Sequence, residues 1–215
     1  MSGQTEAGQP DSGPSAAASA TICATGRLIV VVGPSGAGKD TLIDHARARL
    51  AEEAAPAVDF DVVRRVITRP VEAGGEAHQA TDKTEFARMR DEGRFCVAWE
   101  AHGLAYGIPR ETCRAVAEGG IRLVNGSRHA LPHFRAVFPR METVLITASP
   151  TVLAERLAAR GRETVAEIHA RLARRIEDRP EDYDLVIVNE GPVAETAARL
   201  LAFIRDPGAP DRKSA

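Results

Sequence analysis

A chain of 215 residues, 44% of them hydrophobic, can bury one sizeable core with small appended lobes, so a single domain is expected. Its 28 basic and 30 acidic residues nearly cancel, no Lys/Arg run interleaves with aromatics, and no apolar run is long enough to cross a bilayer; nucleic-acid and membrane partners are not expected. The three cysteines, Cys23, Cys96 and Cys113, follow no metal-ligand spacing and fit reduced thiols in a cytoplasm.

Residues 1–26 have neither the basic start nor the apolar stretch of a signal peptide and read as a disordered tail. Next comes "RLIVVV" (Arg27 to Val32), a continuous apolar run of strand length, the pattern of a strand covered on both faces. A glycine-rich turn leads into a helix predicted over Asp40 to Leu50, with Leu42, Ile43, Ala46 and Leu50 as its buried stripe. Apolar runs at Phe60 to Ile67, Ile121 to Asn125, Met141 to Thr147 and Tyr183 to Asn189 supply further strands, and His102-Gly103 marks a hairpin turn. Between the last two runs Ser149 caps a helix that has Pro150 at its first position and Gly161 past its end. Thr164 to Glu167 is a capping box opening another helix, with Val165, Ile168, Leu172 and Ile176 inward. Strands alternating with helices predict a three-layer α/β domain over residues 27–206 with a mostly parallel sheet, followed by a flexible tail at 207–215.

The turn after the first strand, "GPSGAGKD", holds Gly33, Pro34, Ser35, Gly36, Ala37, Gly38, Lys39 and Asp40 at the spacing of a phosphate-binding loop. Its glycines let successive amide N–H groups converge on a polyphosphate at the positive end of the next helix, and Lys39 reaches toward the terminal phosphates. Such loops place Ser or Thr after the lysine to ligate magnesium; Asp40 stands there instead, and Thr41 supplies a hydroxyl only if the register slips by one. A carboxylate beside polyphosphate is repelled unless a cation lies between them, so Asp40 predicts magnesium, held directly or through a water. The alternative account of Asp40 is the preference of helix N-termini for acids. The strand best placed to carry a second acidic ligand, "IRLVNGS", ends in Asn125, Gly126 and Ser127 without a carboxylate. Trp99 reads as core, and Cys96 and Cys113 have no activating neighbours in sequence.

The segments "GPSGAGKD", "VITRP", "EFARMRDEGRFCVAWEAHGLAYGIP", "RLAARGRE" and "YDLVIVN" occur in the order of the guanylate kinase family, which the sequence resembles over about residues 27–205. The resemblance implies a P-loop kinase core, ATP as phosphoryl donor, an acceptor-binding lobe at about 60–108 and an arginine-bearing lid at about 160–175. Arg160 and Arg171 match the family's lid arginines and join Lys39 and Asp40 as expected catalytic residues. Within the family the sequence looks closest to the branch that phosphorylates ribose 1,5-bisphosphate. The shared segments are Gly38-Lys39-Asp40, Ile67-Thr68-Arg69 followed by Gly74-Gly75-Glu76 and His78, and Val124-Asn125-Gly126-Ser127-Arg128.

The departures from guanylate kinases point the same way. The family's guanine-binding Glu and Ser/Thr positions are Ala98, before Trp99, and Ile108, after Tyr106-Gly107; neither side chain hydrogen-bonds a base edge. The family's Asp pair is replaced by Asn125 and Ser127, and a phosphate-binding Tyr by His78. Arg69 matches a phosphate-binding arginine, Glu72 stands where the family has a second, and Arg65 and Arg128 add donors nearby. The resemblance therefore implies Arg65, Arg69, His78, Tyr106, Asn125, Ser127 and Arg128 as substrate contacts for a small sugar bisphosphate. A nucleoside monophosphate kinase and a non-enzymatic binding module are the other readings; the intact "GAGK" speaks against the second.

Overall fold

A computed structural model of the chain describes residues 26–52, 59–70, 77–159 and 178–205. In chain order the elements are β1 (Arg27–Val32), α1 (Lys39–Ala51), β2 (Phe60–Val62), β3 (Val66–Ile67), β4 (Gln79–Ala80), α2 (Lys83–Asp91), β5 (Phe95–Ala101) and β6 (Leu104–Pro109). There follow α3 (Glu111–Ala117), β7 (Ile121–Asn125), α4 (Leu131–Val137), β8 (Glu142–Thr147), α5 (Pro150–Ala159), β9 (Leu185–Val188) and α6 (Val193–Arg205). The expected tails and the segment 160–175, with Arg160 and Arg171, lie outside the described residues.

The unbroken apolar run of β1 is explained by its position. It is the middle strand of a five-stranded parallel sheet, order β2-β7-β1-β8-β9, and successive side chains enter opposite layers. Ile29 and Val31 pack with Leu42, Ile43, Leu200 and Phe203 of α1 and α6, while Leu28, Val30 and Val32 pack with Val116, Leu131 and Phe134 of α3 and α4. These are the three layers. Arg27, at the strand's start, donates to Glu142 (Nη2–Oε2 2.6 Å), to the Ile204 carbonyl at 2.8 Å and to the Phe203 carbonyl at 3.0 Å, joining β1, β8 and α6.

A second, four-stranded sheet in the order β4-β3-β6-β5 forms the lobe. Its β5–β6 hairpin turns through His102 (φ 53°) and Gly103 (φ 75°), the paired left-handed conformations of a tight two-residue turn. The run Phe60 to Ile67 is not one strand, contrary to the expectation from its apolar pattern. β2 pairs with β7 in the core sheet, and Val63 still bonds Leu123; the chain then crosses, and β3 pairs with β6 in the lobe. β3 is thus the first strand of the lobe sheet in chain order. Ser149 stands where its cap is expected, its Oγ accepting from Val152 N at 3.4 Å.

Candidate active site

The C-terminal ends of β1 and β7 are adjacent, with Val31 opposite Asn125, so the phosphate loop and the segment 125–128 face one cleft. Two glycines are required in the loop. Gly33 (φ 147°) brings its backbone so close to β8 that a Cβ there falls 1.9 Å from the Ile146 carbonyl. Gly38 (φ 85°) is the N-cap of α1, and a Cβ there falls 2.4 Å from Asn189 Nδ2. That same nitrogen donates to the Ala37 carbonyl at 2.8 Å, so the end of β9 holds the loop from beneath; Asn189 is buried.

Lys39 Nζ donates to the Gly33 and Pro34 carbonyls at 3.0 and 3.1 Å, which keeps the ammonium folded over the loop. The neighbouring Asp40 is half-buried and accepts from Asn125 Nδ2 at 2.6 Å; Thr41 is exposed on the first turn of α1. A cation missed in the sequence joins them: Arg156 of α5 has a buried Nη1 with no hydrogen-bond partner among the described residues, 3.9 Å from the Cβ position of Gly38. Its signal in the sequence was its place in the helix predicted to start at Ser149.

In the lobe, Trp99 is buried in the core cluster and Tyr106 packs against it. Trp99 and Tyr106 pair across the hairpin and stack, with centroids 5.1 Å apart and planes 8° apart. Arg65 lies over both rings, 5.1 Å from Tyr106 and 5.8 Å from Trp99, so its charge is held by cation–π attraction on a flat shelf. The Trp99 indole nitrogen is buried without a hydrogen-bond partner among the described residues, and Ile108 is fully buried.

His78, an expected substrate contact, is buried in the lobe. It is only 3% exposed, so it stands behind the site and not on its surface. Its Nδ1 accepts from Arg69 Nη2 at 3.4 Å and its Nε2 donates to the Arg69 carbonyl at 3.0 Å; because a guanidinium only donates and a carbonyl only accepts, the Nε2–H tautomer meets both demands. The His78 carbonyl accepts from Arg64 Nη2 at 3.0 Å. His78 is thus a clamp on Arg69, whose Nε is buried and has no hydrogen-bond partner among the described residues.

Arg128 is also committed to a partner. It donates to Asp178 Oδ2 at 2.6 Å, with both side chains largely shielded, and Asp178 Oδ1 accepts from the Tyr183 hydroxyl at 2.8 Å. Burial first, then the Asp178 carboxylate, pushes the Tyr183 phenol well above its ordinary pKa, so it stays a donor. Ser127 is half-buried just before a turn of 3₁₀ helix, Arg128–Ala130. Glu72 and the shared segment Gly74-Gly75-Glu76 lie outside the described residues.

Residues 25–206 match the family described as Guanylate kinase. The chain belongs to the guanylate kinase family. The crystal structure of guanylate kinase from Anaplasma phagocytophilum shares the fold, with TM-score 0.64 at 20% identity over 88% of this chain and 90% of that one. Among curated relatives, the ribose 1,5-bisphosphate phosphokinase PhnN of Agrobacterium fabrum is 46% identical over 81% of this chain and 93% of its own length. The proteins of the same name from Rhizobium etli and Pseudomonas fluorescens are 48% and 47% identical, each over 83% of this chain and over 89% and 95% of their own lengths.

Magnesium is the metal the guanylate kinase core implies. Among the described residues no three His, Cys, Asp or Glu side chains converge, and the carboxylate beside the loop is Asp40. One carboxylate suits magnesium, which keeps several waters and binds mainly through substrate phosphates.

Proposed function

We propose that this kinase transfers the γ-phosphoryl group of ATP to the 1-phosphate of ribose 1,5-bisphosphate, giving 5-phosphoribosyl 1-diphosphate, in phosphonate catabolism in the cytoplasm. The observation that carries the reading is the composition of the acceptor side. Arg65 and Arg69 supply charge there, while the base-reading positions hold Ala98 and the buried Ile108. A purine would leave polar edge groups unpaired, at about 1–3 kcal/mol per buried group, whereas an anionic sugar meets guanidinium groups. The names of the relatives support the same acceptor.

An acceptor phosphate is already ionised, so no general base is needed, and catalysis rests on alignment and charge neutralisation. Lys39 would exchange its two loop carbonyls for the β- and γ-phosphate oxygens, with the loop amides from Gly33 to Thr41 around them. Arg156 adds a pre-positioned guanidinium beside Gly38, and Arg160 and Arg171 are assigned to the lid. Magnesium, held through Asp40 with Asn125 beside it, would supply charge neutralisation on the phosphates. Arg69, set by His78, takes the acceptor phosphate; Arg65 or Arg128 takes the far one, with Tyr106, Asn125 and Ser127 lining the space between.

The test is ATP-dependent turnover compared across ribose 1,5-bisphosphate, ribose 5-phosphate, GMP and gluconate. Ribose 1,5-bisphosphate should be the preferred acceptor, and Arg65→Ala should raise its KM roughly tenfold or more, the loss of one charge-assisted contact, without changing the KM for ATP. GMP as the better acceptor would replace this reading with a nucleoside monophosphate kinase.

A further inference from the structure

Ion pairs sit at both ends of the core sheet and use their guanidinium groups differently. Where β1 starts, Arg27 engages all three guanidinium nitrogens, with Glu142 and with the Ile204 and Phe203 carbonyls. At the opposite end, three residues past Asn125, Arg128 donates through Nη1 alone among the described residues, to Asp178 Oδ2 at 2.6 Å. Its Nε and Nη2 have no hydrogen-bond partner among those residues. Asp178, by contrast, is engaged at both oxygens: Oδ1 accepts from the Tyr183 hydroxyl at 2.8 Å, and the side chain is 9% exposed.

The short stretch 178–184 keeps that carboxylate in place. Asp182 N donates to the Arg179 carbonyl at 3.0 Å and Tyr183 N to the Pro180 carbonyl at 3.2 Å, which closes the 3₁₀ turn Pro180–Asp182. The next residue pins the turn to β8: Asp184 Oδ2 accepts from Thr143 N at 2.7 Å and from Thr143 Oγ1 at 2.9 Å, and Asp184 N donates to the Thr143 carbonyl at 2.9 Å. Tyr183 packs against the cluster that holds Leu28, Val30 and Phe134. Its hydroxyl therefore has a fixed position, and Asp178 takes its own from that hydroxyl.

We propose that Asp178 and Tyr183 are positioning residues for the phosphoryl acceptor: by holding one nitrogen of Arg128 they set its remaining N–H groups to meet an anionic oxygen of the acceptor. This role rests on the assignment of Arg128 to the acceptor made above. A guanidinium carries donors on more than one edge, so one edge faces a carboxylate while another faces a phosphate. An arginine side chain immobilised before the substrate arrives loses no rotamer freedom on binding it. The same carboxylate without Tyr183 would be held by Arg128 alone, and the two would shift together.

The test is steady-state kinetics of the full chain on the acceptor that the parent prefers in the panel above, so that a wrong acceptor shows in the parent and a wrong brace only in the variants. Asp178→Asn removes the charge that holds Arg128; Tyr183→Phe removes one hydroxyl and leaves the ring and the ion pair. Each should raise the acceptor KM roughly threefold or more, the scale of one newly mobile side chain, with the ATP KM within about twofold of the parent's. Because Asp178→Asn leaves a shielded guanidinium uncompensated and can cost the fold, the deciding comparison uses Arg128→Gln/Asp178→Asn, which carries neither charge. Adding Tyr183→Phe there should leave the acceptor KM unchanged, since no arginine remains to be held. An acceptor KM unmoved by Tyr183→Phe in the parent, an ATP KM that rises in step with it, or the same rise with and without Arg128 would each overturn the positioning role.

Discussion

Asp40 and Asn125 show how one substituted side chain is accommodated. The carboxylate that replaces the usual hydroxyl accepts a 2.6 Å bond from a neutral amide, so it is oriented without being neutralised and keeps its full charge for a cation. Asp40→Asn preserves shape and removes that charge. The magnesium concentration for half-maximal turnover should rise roughly tenfold or more, the scale of one lost charged contact, and calorimetry of magnesium-dependent ATP binding should move with it. An unchanged magnesium response would remove Asp40 from the metal site. His78 acts on Arg69 in a comparable way, through orientation. His78→Ala should cost about 1–3 kcal/mol in urea unfolding by leaving buried groups unpaired. It should also raise the acceptor KM while the ATP KM holds, and His78→Gln, which keeps one donor and one acceptor, should recover part of both.

Short elements of the lobe depend on their caps and partners. α2 begins at Asp82, whose Oδ1 accepts from Glu85 N at 2.8 Å, and its Phe86 stacks on Phe95 of β5 with centroids 4.8 Å apart. Asp82→Ala should therefore lower stability by about 1 kcal/mol, read as a lower urea midpoint at constant slope, while Asp82→Asn should stay near the parent. The Ser149 cap, the middle strand and the phosphate loop were legible because each is written in contiguous residues. The break inside Phe60 to Ile67 was not. Its apolar pattern runs on unbroken, and the division depends on partners far along the chain, Leu123 for Val63 and Ala105 for Thr68. The same reason hid the clamp of His78 on Arg69. A tertiary hydrogen bond leaves no periodicity to read.

At the scale of the whole molecule, Arg27 joins three elements. Its guanidinium is 16% exposed and Glu142 21%, it lies 5.6 Å from the Phe203 ring centroid, and it satisfies two carbonyls near the end of α6. Arg27→Ala should cost about 2–4 kcal/mol, toward the lower end for a shielded network because solvent still reaches it. By calorimetry this is a fall in Tm of roughly 4–16 °C for a domain of this size. A fall under about 2 °C would mean that the network contributes geometry without stability.

That network also imposes a timetable on synthesis. Arg27 and its acceptor Ile204 are 177 residues apart in the chain, so at about 5–20 residues per second the central strand waits roughly 9–35 s for the helix that covers one of its faces. Until then the apolar side chains Ile29 and Val31 lack their partners on α6, Leu200 and Phe203, and the Asn189 amide has yet to reach the phosphate loop. The nascent protein is consequently exposed to aggregation and proteolysis throughout that interval. A pause between the codons of Arg27 and Ile204 would lengthen that interval, whereas one before the codon of Arg27 would leave it unchanged.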